Sequence, residues 1–438
     1  MFQDGGIDVT KTPNAFRGYF LPLFYSALRI ISTNFLNNEF FLFNIFISLE
    51  MALIYTVCLP YIFNICVKET KITCGICISY MVLLYFWNGF LITPLSDLPA
   101  LFFMFISICL MKYMTLHKIT WIPFTGLSFL VGAFSYLAYN TRSIYLYGVI
   151  AQLIWFVLHK ILDRAKLAVF FLAFVVSVAV FGSPQASINQ AHGQKPTVQV
   201  LTSLYTADGV PLEKMQVLWG LGLDRYETYV GDSEQFSQAA VRFENPVGNE
   251  LVRREQISEE SFSYFDILKL FLKYPVEMIS IYTSHLISYL TPCYSRTYIS
   301  NIYTNKTLRV VVSSLIWIIG ALAVFVTTKE NGIKKLLQSA LSCCGVLIPV
   351  LLILLGAPEI RFFIALYFIW YFYMGCIVDW RSTAIFLKKH MISSIVVIGI
   401  IFILWVTNVQ NTFGENVVAG RPLLIADSQI QAQVQQVE

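Results

Sequence analysis

Charged residues are scarce in this sequence. They make up 13% of its 438 residues, whereas hydrophobic residues make up 57% and the mean hydropathy is +0.66. Because a soluble domain carries about 25% charged residues, this composition excludes an ordinary soluble protein and indicates that lipid surrounds most of the chain. The net charge of +4 is small and no basic tract is present, which argues against nucleic acid as a partner.

Several familiar signatures are also missing. The sequence has no Walker or dinucleotide-binding motif, no internal repeat, and no apolar h-region of a cleavable signal peptide within residues 1–15. Most of its nine cysteines lie inside apolar runs, where they act as small apolar residues. The single C-x-x-C, from Cys74 to Cys77, has no matching pair, so it does not predict a metal or redox site.

The sequence does contain a series of apolar runs with the length of a membrane-spanning helix, roughly 17–25 residues. Because lipid offers the backbone no hydrogen bonds, such runs should be helices rather than open sheet. We therefore predict an all-α polytopic membrane protein with about ten transmembrane helices. The predicted spans are 39–66, 72–91, 97–114, 119–138, 143–160, 166–183, 306–327, 336–356, 361–379 and 391–407.

Lysine and arginine sort into alternate connections between these spans. One side carries thirteen: Lys68, Lys71, Lys112, Lys118, Lys160, Arg164, Lys166, Lys329, Lys334, Lys335, Arg381, Lys388 and Lys389. The other side, leaving out both tails and the long loop, carries only Arg142 and Arg361. The positive-inside rule assigns the first side to the cytoplasm. We expect a multi-pass protein of the cytoplasmic membrane with its functional face outside.

This topology divides the chain into five parts. They are an outer segment at 1–38, six spans within 39–183, a large outer loop at 184–305, four spans within 306–407 and an outer tail at 408–438. The loop becomes amphipathic through Phe262–Leu290, which predicts one or two helices on the membrane surface or a hairpin that dips into the membrane. Phe20–Ile31 likewise predicts an interfacial helix, and the Gln- and Val-rich tail after Gly414 predicts a mobile end.

An outer N-terminus must be translocated without a preceding span. Either the chain inserts in that way, or a first span precedes residue 1.

Four charged residues stand at the outer ends of apolar runs, where a charge is costly without a partner or a function. Asp97 lies at a helix N-terminus, which favours an anion, and the alternative is a helix cap formed by Ser96 or Asp97. Arg142 either clamps a phosphate with its planar guanidinium or snorkels at the lipid interface. Either Arg361 holds a phosphate or pyrophosphate, with Glu359 orienting it, or Glu359 and Arg361 form a local ion pair.

The N-terminal segment holds further candidates. Asp4 and Asp8 are either catalytic acids or solvated acids at a free end. Arg17 and Tyr19 directly precede the predicted interfacial helix. Their position at the start of that helix makes them candidate substrate contacts.

A last pair of candidates follows the sixth span. We expect Pro184 to end that span, because proline disrupts the interior of a helix. Gln185 and Asn189 would then be neutral donors that face a sugar or a phosphate, or simply a helix terminus.

In this order, the motifs resemble the GT-C superfamily of polytopic membrane glycosyltransferases, in particular bacterial members related to protein mannosyltransferases and the aminoarabinose transferase. The resemblance covers most of residues 1–380. The matching motifs are Arg17-Gly-Tyr-Phe-Leu-Pro22-Leu-Phe, Ser96-Asp97-Leu-Pro-Ala-Leu-Phe-Phe, Thr141-Arg142, Ser183-Pro-Gln-Ala-Ser-Ile-Asn189 and Glu359-Ile-Arg361-Phe-Phe.

The resemblance implies transfer of a sugar from a polyprenyl-phosphate donor, drawn from the membrane, to a glycan, lipid or protein acceptor. It also implies a catalytic acid in the first outer loop. The candidate bases are Asp4, Asp8 and Asp97, and the candidate substrate contacts are Arg17, Tyr19, Arg142, Gln185, Asn189, Glu359 and Arg361. No cofactor is required by these motifs, and a divalent metal is left open.

Two other functions fit the same topology. A lipid-linked polysaccharide polymerase of the O-antigen type also has many spans, a large outer loop and outer arginines. A transporter or flippase would instead place charges near the middle of the bilayer and show inverted repeats. The absence of an internal repeat and the position of the acids at span ends favour the transferase.

Overall fold

The computed structural model confirms an all-α polytopic membrane architecture. It describes residues 18–36, 38–67, 69–91, 93, 95–158, 163–202, 206–207, 210–229, 240–257, 263–294, 296, 298–299, 305–356, 359–415 and 417–419. Within these ranges seven helices are long and apolar enough to cross a membrane, and nine spans result if each of two sharply bent helix pairs counts as one.

The helices before the long loop follow the predicted spans closely. They are α1 (Phe20–Leu36), α2 (Phe41–Leu53), α3 (Leu59–Phe63), α4 (Thr70–Leu91), α5 (Asp97–Leu116), α6 (Trp121–Thr141), α7 (Tyr145–Leu158) and α8 (Arg164–Ala191). A π-helical turn at Ile54–Cys58 joins α2 to α3, so the three together form the first span. The predicted interfacial helix is α1. The fifth predicted span forms a helix of 14 residues, α7, which is shorter than a straight crossing needs.

The helices after the loop are less regular. They are α13 (Thr307–Asn331), α14 (Ile333–Ser342), α15 (Cys344–Ile353), α16 (Ile364–Cys376), α17 (Trp380–Lys389) and α18 (Met391–Gln410), with a 3-10 turn at Ile360–Phe363. The chain bends by 83° between α14 and α15 and by 79° between the segment ending in α16 and α17. At the second bend the Asp379 carboxylate accepts the backbone N–H groups of Arg381 and Ser382, which caps the start of α17.

Small residues let the spans approach one another closely. A Cβ atom on Gly75 of α4 would lie 2.2 Å from the carbonyl oxygen of Gly375 in α16. Ser79, one turn along α4, donates to the carbonyl of Tyr371 at 2.7 Å. Close backbone contact and a hydrogen bond across helices are what hold spans together when lipid supplies no hydrophobic force between them.

The long loop folds into a mixed α/β unit, which we call the loop domain. It contains the hairpin β1 (Thr206–Ala207) and β2 (Val210–Pro211), the helices α9 (Leu212–Gly222), α10 (Pro246–Arg254), α11 (Tyr264–Lys273) and α12 (Pro275–Tyr289), and the strands β3 (Leu223–Tyr229), β4 (Ala240–Glu244) and β5 (Tyr298–Ile299). The stretch from Phe262 to Leu290 thus contains two helices, as predicted. The sheet was not predicted.

The C-terminal segment completes that sheet. After a π-helical turn at Asn411–Glu415, the strand β6 (Val417–Ala419) pairs antiparallel with β4, and the strand order is β5-β3-β4-β6. The expectation of a mobile end directly after Gly414 is therefore wrong for 417–419, and the remaining tail lies outside the described residues. Pro184 also differs from prediction, because it lies inside α8, which continues to Ala191.

Candidate functional site

Asp97 and Arg142 meet at one end of the bundle. Asp97 begins α5 and Arg142 directly follows α6, and only residues 117–120 separate these helices at their other ends. The Arg142 guanidinium forms an ion pair with the Asp97 carboxylate, and the two side chains are 17% and 6% exposed. We call this end of the bundle the Asp97 end.

The capping alternative for Asp97 is wrong. Ser96 occupies the position before the helix, but no side chain there forms a capping hydrogen bond. Asp97 instead directs one carboxylate oxygen to Arg142, and its second oxygen, Oδ2, is buried with no hydrogen-bond partner among the described residues. Asp97 also lines a narrow crevice together with Arg142, Tyr145, Pro349 and Phe362.

Glu359 and Arg361 form a second ion pair beside the first. Their side chains are 3% and 21% exposed. Phe362 separates the two pairs, because its ring centroid lies 4.1 Å from the guanidinium carbon of Arg142 and 5.3 Å from that of Arg361. Both contacts have the geometry of cation–π interactions. The two arginines therefore converge on one aromatic ring although 219 positions (361 − 142) separate them in the sequence.

A third ion pair comes from the loop domain and was missed in the sequence. Arg225 and Glu227 of β3 pair at 2.7 Å with side chains at most 1% exposed. Arg225 also donates to the carbonyls of Ser288 and Thr291 at 3.0 and 3.2 Å. Arg225 therefore attaches the sheet to the end of α12. Residues 224–229 show no alternation of polar and apolar residues, so the sequence offered no clear signal of a strand here.

Glu227 lies against the Glu359–Arg361 pair. Burial raises the pKa of the Glu227 carboxyl to about 7; Glu359 adds to the rise, while Arg225, Arg361 and the backbone N–H of Ile360 oppose it. A carboxyl that exchanges a proton near neutral pH is typical of functional sites, although buried structural ion pairs share this property. The Asp97 end thus combines three carboxyl–arginine pairs with one titratable group.

The structure places Gln185 and Asn189 in a buried polar chain and Tyr19 in a separate hydrogen bond. Asn140 donates to Gln185 at 3.1 Å, Gln185 donates to Asn189 at 3.1 Å, and Asn189 donates to the carbonyl of Thr197 at 2.8 Å. Tyr19 donates to the carbonyl of Phe181 at 2.7 Å. These groups bond to the protein itself, so their assignment as substrate contacts stays a prediction.

The remaining sequence candidates cannot be placed. Asp4, Asp8 and Arg17 lie outside the described residues. Within the described ranges, no three His, Cys, Asp or Glu side chains lie close enough together to hold a metal ion.

One further acid was missed. Glu50 lies within α2, is fully buried, and neither carboxyl oxygen has a hydrogen-bond partner in the described part of the chain. The sequence signal was a single glutamate inside an apolar run, in Ile47-Ser-Leu-Glu50-Met-Ala-Leu. An ionisable residue inside a membrane segment is a candidate for function.

Comparison with known proteins adds no further constraint. No protein-family model, curated protein or solved structure matches this chain. The resemblance to the GT-C superfamily therefore stays an expectation drawn from the sequence motifs named above.

Proposed function

We propose that the chain is a membrane glycosyltransferase that moves a sugar from a polyprenyl-phosphate donor to an acceptor on the outer face of the cytoplasmic membrane. The observation that supports this most is the convergence of Arg142 and Arg361 on the ring of Phe362 at one end of the spans. Two planar guanidinium groups at the membrane edge suit a phosphate that enters from the lipid.

Each arginine is neutralised by a carboxylate before the donor binds. A donor phosphate that replaces Asp97 as the partner of Arg142 leaves the Asp97 carboxylate free to accept a proton. Donor binding would then activate the base, because Arg142 pairs with either the donor phosphate or the Asp97 carboxylate. The unpartnered Oδ2 of Asp97 is the group best placed to act as the base.

The reaction follows from this arrangement. The acceptor hydroxyl oxygen attacks the anomeric carbon of the sugar, the bond from that carbon to the phosphate oxygen breaks, and the polyprenyl phosphate leaves with the bonding electrons. The hydroxyl proton passes to Asp97. Negative charge increases on the departing phosphate, and Arg142 and Arg361 stabilise it, which is usually the largest catalytic contribution.

The test uses purified full-length protein in nanodiscs with undecaprenyl-phosphate carrying a radiolabelled sugar and a panel of glycan, lipid and peptide acceptors. Arg361→Ala is expected to reduce transfer by about 10²–10³-fold per folded protein, even at a donor concentration that saturates binding. Arg29→Ala is the matched control, since Arg29 is half exposed and pairs with Glu39 on the surface. Full activity of Arg361→Ala contradicts the proposal. A parallel assay with EDTA tests the divalent metal.

The same geometry fits a lipid-linked polysaccharide polymerase, which changes the acceptor rather than the reaction. The acceptor panel separates the two, because a polymerase requires a lipid-linked glycan as its second substrate.

Glu50 favours a second candidate, a transporter or flippase. It lies nine residues into α2 from Phe41, or about 14 Å along the helix axis, which is close to the middle of a ~30 Å hydrocarbon core. The argument that the acids lie only at span ends is therefore wrong for this residue. If Glu50→Gln abolishes movement of the lipid between leaflets in liposomes, and wild type shows no sugar transfer, the transporter replaces the transferase.

A further inference from the structure

Two aromatic residues of the loop domain form a corner beside the arginine pairs. Trp219 lies in the last turn of α9 and Tyr226 lies on β3, and their rings meet edge to face with centroids 5.6 Å apart and an interplanar angle of 73°. The sequence analysis assigned neither residue a role, and the reaction proposed above uses neither.

The backbone holds this corner against the segment that leads to Glu359. A Cβ atom on Gly220 would lie 2.2 Å from the carbonyl oxygen of Leu355. On the other face of that segment, Tyr289 donates to the carbonyl of Gly356 at 3.4 Å. The aromatic corner is therefore packed directly against Leu355 and Gly356, a few residues before Glu359 in the sequence.

The Tyr226 phenol lies within the field of the charged pairs. Burial raises its pKa, Glu359 and Glu227 add to the rise, and Arg361 and Arg142 oppose it. The phenol is therefore within electrostatic reach of both arginine pairs. The Tyr226 side chain is partly exposed.

Trp219 has an unused hydrogen-bond donor. Its indole Nε1 is buried and has no hydrogen-bond partner among the described residues, while the side chain as a whole is half buried. A buried N–H without an acceptor lowers stability, and native proteins rarely keep one unless a ligand or water completes it.

An aromatic face, an indole N–H and a phenol hydroxyl match the chemistry of a sugar ring, which has an apolar C–H face and a rim of hydroxyl groups. In a polyprenyl-phosphate sugar the ring is bonded directly to the phosphate, so a subsite beside the phosphate-binding arginines would take the sugar. We propose that Trp219 and Tyr226 form the subsite for the sugar of the lipid-linked donor. This inference rests on the proposed glycosyltransferase function.

The test measures binding rather than turnover, with the full chain in nanodiscs. Native mass spectrometry compares undecaprenyl phosphate with the same lipid carrying glucose, galactose, mannose, N-acetylglucosamine or aminoarabinose. Wild type should bind at least one sugar-bearing lipid 10-fold or more tightly than the bare lipid phosphate. Trp219→Leu and Tyr226→Leu should each remove most of that preference and leave binding of undecaprenyl phosphate unchanged.

Conservative variants guard against misfolding. Trp219→Phe and Tyr226→Phe keep the rings and remove only the polar groups, so we expect a smaller loss of preference, about threefold to tenfold, with the melting temperature unchanged. Trp121→Leu is the matched control, because Trp121 is 49% exposed and begins α6 at the opposite end of the bundle; it should keep the full preference.

The outcomes separate this inference from the proposed function. If wild type binds undecaprenyl phosphate but shows no preference for a sugar, or if the leucine variants keep the preference, the subsite is wrong and the transferase proposal stands. If wild type binds none of these lipids, both are wrong.

Discussion

At the Asp97 end of the bundle four charged side chains pair in largely buried positions, whereas at the opposite end, which we call the lysine-rich end, most lysines and arginines are exposed. Asp97, Arg142, Glu359 and Arg361 form ion pairs that are largely withdrawn from solvent. Most described lysines and arginines of the lysine-rich end are exposed, among them Lys71, Lys118, Lys388 and Lys389. The exposed lysines and arginines at the lysine-rich end can orient the chain in the membrane without an ion-pair partner. The charged groups at the Asp97 end are withdrawn from water and therefore need one.

Charged residues at the two ends are therefore explained by two different physical reasons. An exposed lysine in water costs little, and its contribution to orientation depends only on its number and side. A buried ion pair is not in itself an efficient source of stability, because desolvation opposes the attraction of its charges. The buried pairs are therefore better explained by a site than by the stability of the fold.

The largest effect is expected from a substitution that breaks the buried Asp97–Arg142 ion pair. Arg142→Ala leaves the Asp97 carboxylate buried without its counterion, so we expect the free energy of unfolding to fall by about 3–5 kcal/mol. The double variant Asp97→Ala/Arg142→Ala should lose less, because no uncompensated charge remains. Reversible unfolding in mixed detergent measures both. Equal losses in the single and double variants would show that the pair is not electrostatically coupled.

Lys112 is an exception at the lysine-rich end, because its side chain is buried. It is 6% exposed and donates to the carbonyls of Tyr61 and Ile62 at 2.8 and 2.6 Å, near the end of α3. Lys112→Ala leaves those carbonyls without this donor, and we expect a loss of about 1–3 kcal/mol in the same unfolding assay. Lys118→Ala is the control. A neutral result for Lys112→Ala would mean that water replaces the ammonium group.

Glu227 gives the Asp97 end a pH dependence. Its pKa is about 7 in the folded chain and 4.5 as an unperturbed side chain, so the folded state binds the proton more tightly. The resulting stability is fully present below pH 4.5 and is lost as the pH rises through 7, by on the order of 1 kcal/mol.

Melting curves between pH 4.5 and 8 check this prediction. Glu227→Gln should flatten the decline of the melting temperature across that interval, since glutamine has no proton to lose. Glu250→Gln should leave it unchanged, because the Glu250 side chain is 63% exposed. An unaltered slope in Glu227→Gln would assign the pH dependence to another group.

The smallest expected effect belongs to the exposed lysines. Lys388→Ala and Lys389→Ala, separately, should change the free energy of unfolding by no more than about 0.5 kcal/mol, as is usual for surface substitutions. The unfolding assay used for Arg142 provides the measurement. A loss comparable to that of Arg142→Ala would remove the contrast between the two ends.

The spans could be predicted to within a few residues because long apolar runs are a local property of the sequence. For example, the predicted 72–91 and 97–114 became Thr70–Leu91 and Asp97–Leu116. The bend at Cys343 could not be predicted, since 336–356 is apolar enough to suggest one crossing, whereas the bend before Asp379 falls at the predicted end of the span at 361–379. The sheet was missed because β5 and β6 contain only two and three residues, too few to show a period.

The site was predictable only in part. The charge pattern placed Asp97, Arg142, Glu359 and Arg361 on one side, but the sequence could not show which acid pairs with which arginine. Arg225 and Glu227 were missed because a charged stretch in a long polar loop normally faces water. Their burial depends on contacts with α12 and with the turn after Glu359, which are distant in sequence and leave no local signal.

The place of β6 in the sheet sets an order for biogenesis. Trp405 donates to Thr291 at 2.9 Å and Thr412 donates to Asp224 at 2.8 Å, and β6 then pairs with β4. The ribosome makes these residues well after the loop domain and only with or after the last span. A nascent chain that stops before residue 405 would lack the end of α18 and the strand that pairs with β4. The sheet of the loop domain is therefore completed only after every site residue named above has been made.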